Sequence, residues 1–238
     1  MIFLLAKWVH IFIILTTFGL LAFIILEKLN VISTVFEQIR LDKLVIIGFI
    51  FFTATLTIFS LFYSIGIICH LIVNLVVILS AFLIFDYWKT LLKKILVTIK
   101  EIRISFRKTL FLMSFFLVAL WSIQEVWVYD SKFYHLQAIK WIEEYGTVVG
   151  LGNLFDRLAN NNSNFLVSAY FNNSFFNLPS FDALNSFFFC IMIFSWFQML
   201  SKYRNDFRFI IFNVLIVACL YSYRWGISSP SPDILVAM

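Results

Sequence analysis

Apolar residues run in long blocks along this chain instead of alternating with polar ones. Met1–Leu26, Leu44–Phe85, Leu110–Val128, Phe181–Leu200 and Phe209–Tyr223 are separated by shorter polar or basic stretches. A helix needs about 20 apolar residues to cross a hydrocarbon core, whereas barrel strands show alternating segments of about 10. The pattern therefore predicts an all-α, polytopic transmembrane bundle. Leu44–Phe85 is too long for one helix and carries Tyr63-Ser64-Ile65-Gly66 near its middle, so it divides into two spans. That makes about six spans. Asp233–Met238 then reads as the start of a seventh in a truncated chain. The first block continues past the apolar core of a signal peptide, and no small-residue cleavage site precedes Glu27 and Lys28, so it reads as a retained span.

Three regions follow: spans in 1–128, an outer loop in 129–181, and further spans in 182–238. Lys89, Lys93, Lys94, Lys100, Arg103, Arg107 and Lys108 crowd the segment 86–108 against only Asp86 and Glu101. Basic residues in short loops mark the cytoplasmic side, so this loop is expected inside. Counting from it puts Glu27–Lys43 inside and Tyr129 onward outside. The loop with Lys202, Arg204 and Arg208 returns inside, in agreement with the same rule. The placement is that of a multi-pass protein of an inner (plasma) membrane. Leu91, Leu92, Ile95, Leu96 and Ile99 recur at helical spacing within the basic loop, so it reads either as an amphipathic helix on the inner leaflet or as a solvated linker.

A crossing by Phe165–Leu178 would turn the Lys202–Arg208 loop outward. This short apolar stretch with Asn172, Asn173 and Asn177 is therefore expected to be re-entrant or interfacial. Trp127, Tyr129, Tyr223 and Trp225 fit an outer aromatic belt.

Composition agrees with a lipid solvent: 62% of residues are hydrophobic and 13% charged, with a mean hydropathy of +0.96. The net charge of +5 comes largely from loops beside spans, so it reports topology and gives no ground for a nucleic-acid partner. Cys69, Cys190 and Cys219 lie in apolar runs at spacings that suit neither a disulfide framework nor a metal site, and are expected to be packing residues.

Candidate chemistry gathers in the outer segment. Asp130 follows a predicted span, where a carboxylate can act as general base or hold a metal; the alternative is a helix N-cap ahead of Phe133, Leu136, Ile139 and Ile142. His135 could move a proton or contact phosphate, or be a hydrogen-bonded structural residue. Arg157 could clamp phosphate bidentately, pair with Asp156, or meet a lipid headgroup. Amides in Asn160-Asn161-Asn162-Ser163-Asn164 suit hydroxyl-rich ligands as well as ordinary turns. Ser228-Ser229-Pro230-Ser231-Pro232-Asp233 leaves a second carboxylate on the side of Asp130. Gly150-Leu151-Gly152 lacks the context of a nucleotide-binding loop, which argues against soluble nucleotide chemistry.

Tyr129–Ile142, Gly150–Leu154, Arg157–Ala159 and Ser228–Asp233 resemble an uncharacterised family of large bacterial multispan proteins whose members look like GT-C glycosyltransferases. Such enzymes move sugars from polyprenyl-phosphate donors on the outer membrane face. The resemblance implies Asp130 as base or metal contact, with His135 beside it in a catalytic role. It implies Arg157, Asn153, Tyr134 and Asp233 as substrate contacts, and a glycan acceptor as partner. No organic cofactor is implied; a divalent metal is left open. The chain departs from the family's pattern in two ways: three spans precede the one that leads to Asp130, and Phe155 stands where the family often has His. Transport or polysaccharide export, and a noncatalytic membrane scaffold, are the competing classes.

Overall fold

The computed structural model describes residues 1–32, 36–101, 106–159, 162–172, 182–202 and 221–233, with single positions at 207, 211, 214 and 218. The helices are α1 (Ile2–Lys28), α2 (Leu41–Ser60), α3 (Ile67–Leu83), α4 (Phe85–Glu101), α5 (Phe106–Ser122), α6 (Leu136–Tyr145), α7 (Ser163–Asn172) and α8 (Leu184–Lys202). No strand occurs among the described residues, so the chain is all-α.

The span count is smaller than the apolar blocks predict. Among the described residues only α1 and α2 are long and apolar enough to cross a membrane, with a third crossing if the bent pair of α3 and α4 counts as one. The apolar parts of α5 and α8, Phe111–Ser122 and Leu184–Gln198, are shorter. α5 stops at Ser122 because the polar pair Gln124-Glu125 interrupts the apolar run amid the β-branched Ile123, Val126 and Val128. The predicted last span Phe209–Tyr223, the loop Lys202–Arg208, and Ile234–Met238 lie largely outside the described residues.

α1 and α2 pack backbone to backbone. A Cβ on Gly48 would run into the Leu15 carbonyl and come within 2.8 Å of the Gly19 nitrogen, so two glycines facing each other permit the contact. Hydroxyls inside these helices bond back to the preceding turn: Thr17 to the Ile13 carbonyl at 2.7 Å and Thr53 to the Phe49 carbonyl at 2.6 Å. Polar groups on apolar helices are thus satisfied locally. Outward-facing Ile68, Leu71, Leu75, Leu79 and Phe82 on α3 join Leu112, Phe116 and Leu120 on α5 in an apolar exterior, the surface expected of a chain solvated by lipid.

At the centre, Phe52 of α2 meets Phe18 of α1 at 4.8 Å and Tyr170 of α7 at 5.1 Å between ring centroids. α7 is ten residues long, about 15 Å at helical rise and half of what a crossing needs. Asn164 through Phe171 are all buried on it. Ser186 of α8 ties three helices together, accepting from the Trp8 indole at 2.9 Å and from the Ser122 hydroxyl at 3.0 Å.

The basic segment 86–108 is helical where described. α3 and α4 meet at 90°, so α4 turns across the end of the bundle. Its buried Leu91, with Tyr87, Trp88 and Ile95, packs on Leu20, Phe23, Phe36 and Leu44, while Leu92 and Leu96 remain exposed. Its apolar stripe is therefore shared between the bundle and the exterior.

Candidate functional site

The chain leaves α5 and re-enters helix through a π-helical turn, Ser131–His135, that runs directly into α6. Such wide turns recur at functional sites because they shift the side-chain register. The buried stripe is Ser131, His135, Ile139 and Glu143, at four-residue steps. Phe133 and Leu136 of the same helical pattern are exposed. Asp130 stands at the head of the turn, exposed and making no side-chain capping bond, so the capping alternative is not realised.

Buried Ser131 holds the site together. Its hydroxyl meets His135 Nδ1 at 3.0 Å and is in short contact with the hydroxyl of Ser229, 98 positions along the chain. Ser229 Oγ accepts the Ser231 amide at 3.0 Å, and the Ser231 hydroxyl donates to Asp233 Oδ2 at 2.7 Å. A chain of hydroxyls and one amide thus links the imidazole to the second predicted carboxylate.

The loop carrying Ser229 and Ser231 is fixed from α8. Asn185, fully buried, donates its amide to the Ser229 carbonyl at 2.5 Å and the Ser231 carbonyl at 2.7 Å. Asn164 of α7 reaches the Pro230 carbonyl at 3.5 Å. The carbonyl oxygens of both asparagines are buried without a hydrogen-bond partner among the described residues.

Asp130, Asp233 and Arg157 converge electrostatically on this turn. Burial holds the His135 imidazole below its ordinary value, with the Asp130 and Asp233 carboxylates opposing. Burial and the Asp130 carboxylate push the Tyr134 phenol up; Arg157 opposes, and Asp233 adds to the rise. The hairpin of loop carrying Arg157 is anchored by Phe155, whose ring packs edge-on against Phe133 at 5.2 Å. Arg157 itself is exposed, and its amide donates to the Asp156 carboxylate at 2.8 Å. Asn153 is not brought into this group by any described contact: it is exposed in a tight turn, Leu151–Asn153, with its amide on the Gly150 carbonyl. Of the Asn-rich run, Asn160 and Asn161 lie outside the described residues, whereas Asn162 and Asn164 shape the start of α7.

The pattern of the sequence missed a second polar group beneath the first. A cavity of about 80 Å³ is bordered by Leu136, Ile139, Ser168, Asn172, Asp182 and Ser228, among others. Asp182 caps α8 by accepting the Leu184 amide at 2.8 Å and takes the Ser168 hydroxyl at 3.1 Å. Lys7 of α1 donates to the Asn172 carbonyl at 3.3 Å, and the Asn172 amide donates to Glu143 at 2.7 Å. Asp182 ahead of an apolar run is a readable cap signal; Lys7 stands in the apolar part of α1, far from the Glu27 and Lys28 that end the helix, and carries no readable pairing. His10 and His70, given no role from sequence, flank Tyr170; the His70 ring stacks on it at 4.0 Å.

Among the described residues no group of three or more His, Cys, Asp or Glu side chains could hold a metal ion. Trp127 and Trp225 approach to 6.1 Å, and the Arg224 guanidinium lies over the Tyr221 and Trp225 rings.

No curated protein and no solved structure matches the chain. A family model does match, from residue 1 to residue 238, and on that full-length match the chain belongs to the family described as domain of unknown function (DUF8201).

Proposed function

We propose that this is a multi-pass protein of a bacterial inner membrane that transfers a sugar from a polyprenyl-phosphate donor at the outer face, in the manner of GT-C glycosyltransferases. The observation that carries the reading is the gathering of Asp130, Asp233 and Arg157 around the Tyr134 and His135 turn, beyond the end of an apolar helix. A lipid-borne donor also accounts for a chain without a nucleotide-binding loop.

In the proposed reaction Asp130 takes the proton of an acceptor hydroxyl as that oxygen attacks the sugar's anomeric carbon. The bond from that carbon to the donor phosphate breaks, and polyprenyl phosphate departs with the electron pair. Arg157 offers the fork that steadies its charge. His135, held neutral, keeps the turn in register through Ser131, and the serine chain fixes Asp233 to the same loop. Tyr134 and Asn153 are assigned to the sugar hydroxyls.

A second reading, transport or export of a polar solute, is favoured by one observation. Lys7 and Glu143 are charges enclosed where α1, α6 and α7 meet, with half-buried Asp182 near them at the head of α8, and enclosed charges at membrane depth mark ion or solute paths. Transfer of radiolabelled sugar from polyprenyl-phosphate donors in membranes containing the protein separates the two. The transferase reading expects transfer that falls at least about a hundredfold in Asp130→Asn, the scale of a lost general base. Transfer undiminished in that variant would remove Asp130 from the chemistry, and uptake without transfer would select the second reading.

A further inference from the structure

We propose that the groove between the start of α2, the side of α4 and the end of α8 binds the phosphate of an anionic phospholipid from the leaflet on that side. The groove encloses about 460 Å³ and is lined by Gln38, Arg40, Thr90, Lys93, Lys94 and Gln198 along with apolar side chains. These residues come from three segments distant in sequence. Each belongs to, or directly adjoins, a stretch that the distribution of basic residues puts on the cytoplasmic side.

The cations there have different duties. Lys94 is part of the wall: its ammonium donates to the Phe36 carbonyl at 2.7 Å and the Ile39 carbonyl at 3.0 Å, and sits over the Phe36 ring. Arg40 is oriented but not consumed. Nε and Nη2 bind Asp42 at 3.0 and 2.6 Å, and Nη2 also meets Ser195 at 2.9 Å, while Nη1 has no partner among the described residues. Lys93 is exposed, and no described residue pairs with it. Among the described side chains, Arg40, Lys93 and Lys94 face one carboxylate, Asp42, so these groups leave the groove a positive excess. The N-terminus of α2, where Arg40 makes no side-chain cap, adds its dipole in the same sense.

The occupant follows from the mixed lining. Ile39, Leu41, Ile95 and Val97 border the same space, and Leu92 and Leu96 extend an exposed apolar edge along α4. A free phosphate gains nothing from those walls. A phospholipid presents phosphate to Lys93 and Arg40 while its glycerol and first methylenes cover the apolar side. Because α4 lies at 90° to α3, the groove opens along the side of the bundle at headgroup depth. The inference rests on the membrane reading of the chain and is independent of any transferase activity.

The test is native mass spectrometry of the full chain released from phosphatidylcholine bilayers containing phosphatidylglycerol, for the protein, Lys93→Gln and Lys89→Gln. Lys89 is an exposed lysine of α4 outside the groove, so its variant removes the same charge without touching the site. The expected result is retained phosphatidylglycerol on the protein and on Lys89→Gln, reduced about fivefold on Lys93→Gln, the scale of one basic residue at an anionic surface. Equal loss in both variants, no loss in Lys93→Gln, or equal retention of phosphatidylcholine would overturn the site. So would inorganic phosphate raising the melting temperature in detergent as much as the lipid does. Extraction of the protein from membranes by alkaline carbonate would instead overturn the membrane reading beneath it.

Discussion

Asn185→Ala probes what fixes the loop carrying Ser229 and Ser231. Its amide serves the Ser229 and Ser231 carbonyls at 2.5 and 2.7 Å, in a place without solvent access. Losing both bonds leaves two buried acceptors unsatisfied, at about 1–3 kcal/mol each. The alanine also removes the asparagine's own buried carbonyl oxygen, which has no partner among the described residues, and that returns about 1 kcal/mol. The net cost is about 1–5 kcal/mol, confined to the loop because Trp8, Ser122 and Ser186 hold α8 independently. At a factor of ten for every 1.4 kcal/mol, local opening becomes about 5- to 4000-fold more frequent. Hydrogen exchange by mass spectrometry, in lipid nanodiscs, reads this directly at the Ser229 and Ser231 amides, bonded to the Gly226 carbonyl and the Ser229 hydroxyl. Unchanged exchange there, or acceleration spread equally through α1 and α2, would refute the reasoning.

Two further outcomes follow from the packing and from His135. Gly48→Val should lower the thermal midpoint in detergent by forcing α1 from α2, at about 1–3 kcal/mol for an overpacked contact. Gly66→Ala should be near neutral, because its Cβ would meet nothing closer than the Ser64 hydroxyl at 3.4 Å. His135 has its folded pKa lowered, so the unfolded chain binds its proton first as pH falls. Its contribution to stability is full above about 6.5, the unfolded value, and is lost as pH drops from there toward the lower folded value. A melting series across that window should slope in the protein and flatten in His135→Gln; a slope that persists in the variant would contradict the assignment.

Sequence and structure part company where contacts are long-range. The class of the fold was readable because lipid-length apolar blocks leave helices as the economical solution for the backbone. Among the described residues fewer helices are long enough to cross than expected, because apolar runs extend beyond the helices they contain, as with Leu110–Val128 and α5, which ends at Ser122. Asp130, Asp233, Tyr134, His135 and Arg157 were readable as candidates, since each lies in a polar stretch outside the apolar blocks. What joins them was not: Ser131, Ser229 and Asn185 meet across 98 and 44 positions, and serines in turns carry no periodic signal. The π-helical turn carried no sequence signal either: it leaves Phe133 and Leu136 exposed and buries Ser131 with His135 in line with Ile139. Lys7 and Glu143 were hidden for the same reason: nothing in the sequence connects them until α7 brings Asn172 between them.

The central claim is that the turn at Asp130 and the basic groove at Lys93 lie on opposite faces of a membrane. Labelling of single cysteines in intact cells with an impermeant maleimide, against the unsubstituted protein as background, tests it most directly. Asp130→Cys should label without permeabilisation, and Lys93→Cys only after it. Both positions labelling from the same side would contradict the account.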